Sequence, residues 1–333
     1  MKNNRKKITG AFLGTIVEYY DYSLYAFSAG ILATKFFPGV DKIESLMYVF
    51  AIYAFSYLGK PFGSIFFSRI GDLYGRKIAL RITMIGIAVP TLMIGLLPDY
   101  HSIGFLSTQI LILCRFFQGF FVAGEYDGAA IYVIEHLGEK YHYTASAVAR
   151  ATGVAGLVLG IASTNFFNSS VFPEWGWRIP FLLSMPLALL TIYYRKYLEE
   201  TPDFIKAKAD GVEFTGVVSF IARRWQTLLM VVFLAGGFGV TYQISVVFMK
   251  QYLPMVVPKT SSIITSFSVL IVIIFGAVMP FAGWLADRFS LRIVVKISVL
   301  LTLFSSALLI VSIYAELFNL TLAACLLLAA SVA

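Results

Sequence analysis

Long apolar blocks separated by short charged connectors constrain this chain more than any other feature. Residues 151–173, 225–249 and 260–286 contain no Asp, Glu, Lys or Arg. Residues 8–34 hold only Glu18 and Asp21, 45–68 only Lys60, 78–98 only Arg81, 102–124 only Arg115 and 293–315 only Lys296. A shorter block, 179–194, follows Trp175 and Trp177, aromatics suited to a membrane interface, and 317–333 is a largely apolar run with no charge. A helix rises about 1.5 Å per residue, so roughly 17–25 residues cross a hydrocarbon core. The blocks lack the alternation of a barrel strand, which leaves helices as the only way to satisfy the backbone in lipid. Nine spans and the start of a tenth are expected, in an all-α polytopic membrane protein.

Composition excludes a soluble enzyme. Apolar residues make up 59% of the 333 and charged residues 13%, against about 45–50% and 25% in soluble domains. The net charge of +8 would suit nucleic acid if it formed a patch. Instead, nineteen Lys and Arg fall on the side of the membrane that holds the N-terminus and five on the other. The charge therefore sets topology, with the N-terminus cytoplasmic and no nucleic-acid partner implied. The first block is too long for a signal-peptide core and reads as a retained helix.

Two connectors look related. Gly71-Asp72-Leu73-Tyr74-Gly75-Arg76-Lys77 resembles the stretch from Gly283 to Arg292 when Asp72 is set on Asp287, an offset of 215 residues. Each follows the second helix of a half, which points to two six-helix repeats. The expected division is a six-helix lobe over 1–197, a cytoplasmic loop over 198–223 with a short interfacial helix over 214–222, and a partial second lobe over 224–333. By the repeat, a complete second lobe would extend to about 410.

The motifs resemble those of the major facilitator superfamily, in particular its metabolite:proton symporter branch. Gly14-Thr-Ile-Val-Glu18-Tyr19-Tyr20-Asp21-Tyr22 is similar to the first-helix motif of that branch. Gly71 to Lys77 is similar to the superfamily's connector, with Leu73 where a cation is usual. Arg115-Phe-Phe-Gln118-Gly119 with Gly124-Glu125, Gly128 and Glu135-His136 resembles the fourth-helix motif, with Asp127 in place of a usual Gly. Trp175 to Phe181 and Leu198-Glu199-Glu200-Thr201-Pro202 flank the sixth helix in the branch's manner.

The resemblance implies a two-lobe helical bundle and gradient-driven uptake of a small polar metabolite, an organic acid or a zwitterion. A charge inside a span costs about 2.5–3.5 kcal/mol on insertion scales, so such charges face a cavity or a partner. Glu18, Asp21 and Tyr25 share one helical face, as do Arg115, Gln118 and Glu125. By resemblance, Asp21 pairs with Arg115; protonating the acid frees the guanidinium to hold an anionic group. Glu18 is a competing proton acceptor. Glu125 lies about 15 Å cytoplasmic of Arg115 along its helix and is a relay, a gating partner or a structural residue. Tyr25, Gln118, Tyr242 and Gln243 are candidate substrate contacts, and Lys60 reads as a snorkelling side chain.

Asp72, Gly75, Arg76, Glu135, Glu199, Glu200, Asp287 and Arg288 are expected at the cytoplasmic gate. In the superfamily the connector Asp meets the N-terminus of the eleventh helix, where its charge suits the helix dipole. Gly119, Gly124, Gly153, Gly156 and Gly160 are expected to let helices approach closely. Cys114 and Cys325 form no pairing motif, the three histidines have no metal-ligand spacing and no nucleotide-binding loop is present. No metal, cofactor or obligate protein partner is implied; lipid, protons and a metabolite are. A reading from a different class is a truncated, non-transporting membrane paralogue acting as a regulatory or partner subunit, or a decayed gene product.

Overall fold

The computed structural model describes residues 2–137, 141–210, 217–244, 261–315 and 317–332, and among these residues every regular element is helical. The first apolar block is α1 (Lys2–Phe27) followed by α2 (Ala29–Phe36). The second is α3 (Lys42–Phe55), a 3-10 turn at Ser56–Leu58, and α4 (Gly59–Tyr74). Pro61 explains that break, since it has no N–H to donate and its ring crowds the carbonyl one turn back. Then come α5 (Arg76–Leu96), the short α6 (Tyr100–Ile103), α7 (Phe105–Leu137), α8 (His142–Phe167) and α9 (Ile179–Arg195). The connector carries α10 (Pro202–Ala209), and α11 (Val217–Tyr242), α12 (Ser261–Arg288), α13 (Leu291–Tyr314) and α14 (Phe318–Val332) follow.

Seven of the described helices are long and apolar enough to cross a membrane on their own, fewer than the nine spans expected. α1 is long enough at 26 residues but too polar along its length, the second block is broken into α3, a 3-10 turn and α4, and α14 has only 15 residues. The expected interfacial helix over 214–222 begins outside the described residues. From Val217 it runs into α11, with non-helical backbone at Arg224 marking the joint.

The chain forms two compact units, Met1–Gly138 with Thr152–Val212, and Glu139–Ala151 with Glu213–Ala333. In the first, α7 packs on α4 and α5, and α9 packs on α1 and α5. Several glycines serve those approaches. A Cβ on Gly119 would collide with the Ser56 carbonyl, and one on Gly156 with the Ile16 carbonyl. In the second unit, α14 packs on α11, α12 and α13.

Polarity is distributed as lipid requires. Asp21, Arg115, Gln118, Glu125, Ser184 and Arg195 are buried, while Phe62, Phe66, Met230, Phe233 and Leu300 are outward-facing. Such broad apolar exposure would drive aggregation in water and is stable only against hydrocarbon. The chain is a multi-pass membrane protein.

Candidate functional site

The first unit encloses two groups of buried polar side chains. The upper group begins on α1, where Asp21 and Tyr22 are about 100° apart around the axis. Asp21 faces α9: Ser184 donates its hydroxyl to Asp21 Oδ2 at 2.8 Å. Next to it, the Tyr20 hydroxyl donates to the Pro180 carbonyl at 2.9 Å, fastening α1 to the start of α9. Asp21 is wholly buried, and its Oδ1 has no hydrogen-bond partner among the described residues.

Tyr22 and Tyr25 make their contacts with α3 and α7 instead. Arg115, on α7 and wholly buried, has its guanidinium 4.2 Å from the Tyr25 ring centroid, 5.1 Å from Tyr53 and 5.5 Å from Tyr22. Its Nη1 donates to Gln118 Oε1 at 2.6 Å and its Nη2 to the Ser56 hydroxyl at 3.3 Å. Gln118 passes the chain on, donating from Nε2 to the Thr91 hydroxyl at 2.7 Å. Tyr25 and Tyr53 stack with centroids 6.2 Å apart, and Tyr25 donates to the Val49 carbonyl at 3.1 Å. Lys60 completes the wall, with Nζ 4.3 Å from the Tyr57 centroid and 5.3 Å from Tyr22.

This geometry corrects the expected Asp21–Arg115 ion pair, which does not form. The two side chains leave the shared region towards different helices, Asp21 to α9 and Arg115 to the tyrosines of α1 and α3. Ring faces and neutral oxygens hold the guanidinium in place of a carboxylate. Glu18, one turn before Tyr22, is also buried.

The lower group centres on Glu125, whose partner is Arg195 at the end of α9. The pair is bidentate: Arg195 Nη1 donates to Glu125 Oε2 at 2.9 Å, and Nη2 to Oε1. The Thr83 hydroxyl donates to Oε2 at 2.6 Å, and Arg195 Nη1 also reaches the Leu80 carbonyl. Both charged side chains are fully buried. Gly14 on α1 leaves the room they fill, since a Cβ there would meet the guanidinium and Glu125. Glu125 is thus closed within a four-helix contact, not placed as an open relay. Arg195 did not stand out in the sequence because it borders the basic connector. The signal for it is the spacing Ser184, Ala188, Thr191, Arg195, a stripe along the buried face of α9.

Connector residues divide by unit. In the first, Gly75 has φ +98°, a backbone region that L side chains rarely adopt, and a Cβ there would strike the Glu200 carboxylate. Glu200 accepts from the backbone N–H of Arg76 at 2.8 Å and of Lys77 at 3.4 Å, capping the start of α5. Asp72 pairs with Arg76 at 3.2 Å, and the Tyr132 hydroxyl donates to the Glu199 carbonyl at 3.0 Å. In the second, Asp287 accepts from the N–H of Tyr143 at 3.1 Å, the N–H of Thr144 at 2.8 Å and the Thr144 hydroxyl at 2.5 Å. A carboxylate at a helix N-terminus was expected for Asp72; here Asp287, in the second copy of the motif, makes that contact with α8. Arg288 stacks near the Trp284 and Phe289 rings. Tyr242 packs on Phe275 with centroids 4.9 Å apart, and Gln243 follows it. The side chains of Glu135 and Asp127 lie outside the described residues.

Charged side chains buried inside an apolar helical bundle are costly and are kept for function or close pairing. The sequence profile of the Major Facilitator Superfamily matches residues 11–333, and the chain belongs to that superfamily. It is 34% identical over 304 residues to the proline/betaine transporter of Salmonella typhimurium, covering 86% of this chain and 60% of that protein. It is 34% identical over 301 residues to the glycine betaine/proline/ectoine/pipecolic acid transporter OusA of Dickeya dadantii, with the same coverage. The chain therefore spans about 60% of the length of these relatives. Among solved structures it resembles the xylose transporter XylE of E. coli in a partially occluded inward-open conformation, with TM-score 0.76 at 15% identity, over 99% of this chain and 82% of that one.

Proposed function

We propose that the protein carries out proton-coupled symport of a small polar metabolite, an organic acid or a zwitterion such as proline or betaine, by alternating access. The proposed location is the bacterial cytoplasmic membrane, with the N-terminus cytoplasmic. The observation that carries this reading is Asp21: a buried carboxyl that accepts from the Ser184 hydroxyl, with no partner for its second oxygen and no paired cation among the described residues. A buried charge without a partner is costly, so a proton arriving at Oδ1 changes what the surrounding helices prefer.

Coupling through a direct Asp21–Arg115 pair is replaced here by coupling along α1. A proton on Asp21 alters its contact with Ser184 on α9, and the same turn of α1 carries Tyr22 and Tyr25 against Arg115. Arg115 binds the anionic group of the substrate, and Gln118 holds the guanidinium fork in position. Glu200 at α5 and Asp287 at α8 are proposed to brace the cytoplasmic ends of those helices, each a carboxylate on a helix N-terminus within its own unit. The names of the relatives and the asymmetry of basic residues support this reading.

Uptake by proteoliposomes tests it, using labelled proline, glycine betaine and succinate with and without an inward proton gradient. Accumulation of one of them only with the gradient is expected. Failure of all three to accumulate favours the non-transporting membrane paralogue.

A further inference from the structure

Lys60 and Arg115 are two cations set against one aromatic wall. The Lys60 ammonium and the Arg115 guanidinium lie 5.3 Å and 5.5 Å from the same Tyr22 centroid. Tyr53 joins the two halves of the wall, with its centroid 5.4 Å from Tyr22 and 5.9 Å from Tyr57. Neither cation has a carboxylate within ion-pairing distance among the described residues. Arg115 spends its Nη atoms on neutral oxygens, and its Nε has no partner among the described residues. Lys60 is half-buried in the first turn of α4, immediately after the 3-10 break.

Ring faces attract cations but do not neutralise them, so two like charges sharing Tyr22 repel one another. A small anion lodged against both removes that repulsion and meets the open Nε. The Tyr22, Tyr53 and Tyr57 rings offer an apolar wall for the rest of the molecule. A bare organic cation would instead have to displace one of the two resident charges to reach the same ring faces.

We propose that Lys60 and Arg115 together form a subsite for the carboxylate of a small metabolite. This deepens the symport reading and rests on it only in calling that metabolite the transported one. Lys60 thereby acts as a specificity-determining residue: it admits carboxylates and disfavours cations that lack one.

Equilibrium binding to the purified 333-residue chain in detergent tests the subsite with succinate, glycine betaine and choline as probes. Succinate and glycine betaine are expected to bind, and choline, which has the ammonium of betaine without its carboxylate, is not. Lys60→Met should weaken carboxylate binding by about tenfold or more, as for loss of a charge-assisted contact, and Lys60→Arg by less than about threefold. A second measurement needs no variant: succinate should slow acylation of Lys60 by acetic anhydride, read by mass spectrometry, and choline should not. Choline binding as tightly as glycine betaine, carboxylate binding unchanged in Lys60→Met, or no protection of Lys60 by succinate would each overturn the proposal. Carboxylate binding without gradient-driven uptake removes symport and leaves the subsite. Normal uptake and binding by Lys60→Met does the reverse.

Discussion

Asp21 accepts its one described hydrogen bond from Ser184, at 2.8 Å, and makes no ion pair with Arg115. Acid and base are therefore separately housed on α1 and α7, and the tyrosines of α1 and α3 stand around the base. α1 touches α9 with Asp21 and the Arg115 cluster with Tyr22 and Tyr25, and the proposed coupling depends on that link.

Arg115→Lys is expected to raise the KM for uptake by about tenfold while the chain stays folded. A lysine keeps the charge but loses the planar fork that contacts Gln118 and Ser56 together and stacks on Tyr25. Concentration-dependent uptake in proteoliposomes reads this directly, and an unchanged KM would remove Arg115 from the substrate site.

Breaking the Glu125–Arg195 pair should act on stability. Each single change, Glu125→Gln or Arg195→Met, strips a fully buried charge of its countercharge, at a cost of about 3–5 kcal/mol. The double variant Glu125→Met with Arg195→Met should recover most of that loss, because two apolar side chains leave no buried charge. Thermal unfolding in detergent checks the pattern. Additive losses in the double variant would contradict it.

Gly75→Ala combines a positive φ with a methyl placed against the Glu200 carboxylate. The expected cost is about 1–3 kcal/mol from the backbone alone, with further loss as Glu200 leaves the first N–H groups of α5. Gly30→Ala, where a Cβ meets nothing within 4 Å, is the control and should leave the melting temperature unchanged or higher.

Asp287→Ala should release the first turn of α8. Loss of an N-terminal cap costs about 0.5–2 kcal/mol, so amide exchange at Tyr143 and Thr144 is expected to rise several-fold. Exchange there equal to wild type would show that Asp287 does not hold the helix.

Much of this arrangement was legible in the sequence, because lipid leaves so few choices. Charge-free blocks of helical length predict spans directly, and the glycines at 119 and 156 mark close helix contacts. Two features escaped. Spacing along α1 shows that Glu18, Asp21 and Tyr25 share a face, yet it does not say which neighbour that face meets. Asp21 turned to Ser184 and the tyrosines took Arg115. Arg195 and Lys60 were hidden by context, one at the edge of a basic connector and the other beside the outward-facing Phe62 and Phe66. The Thr191–Arg195 step and the Tyr53–Tyr57–Lys60 series at helical spacing are the residues that carried the missing information.

The most direct test of the account separates proton coupling from substrate exchange in the Asp21→Asn variant. Asparagine is close to isosteric with the acid and cannot take up and release the coupling proton. Accumulation of labelled substrate against its gradient should vanish, while counterflow between equal pools persists. Accumulation at the wild-type level by Asp21→Asn would contradict the account and assign the proton to another group.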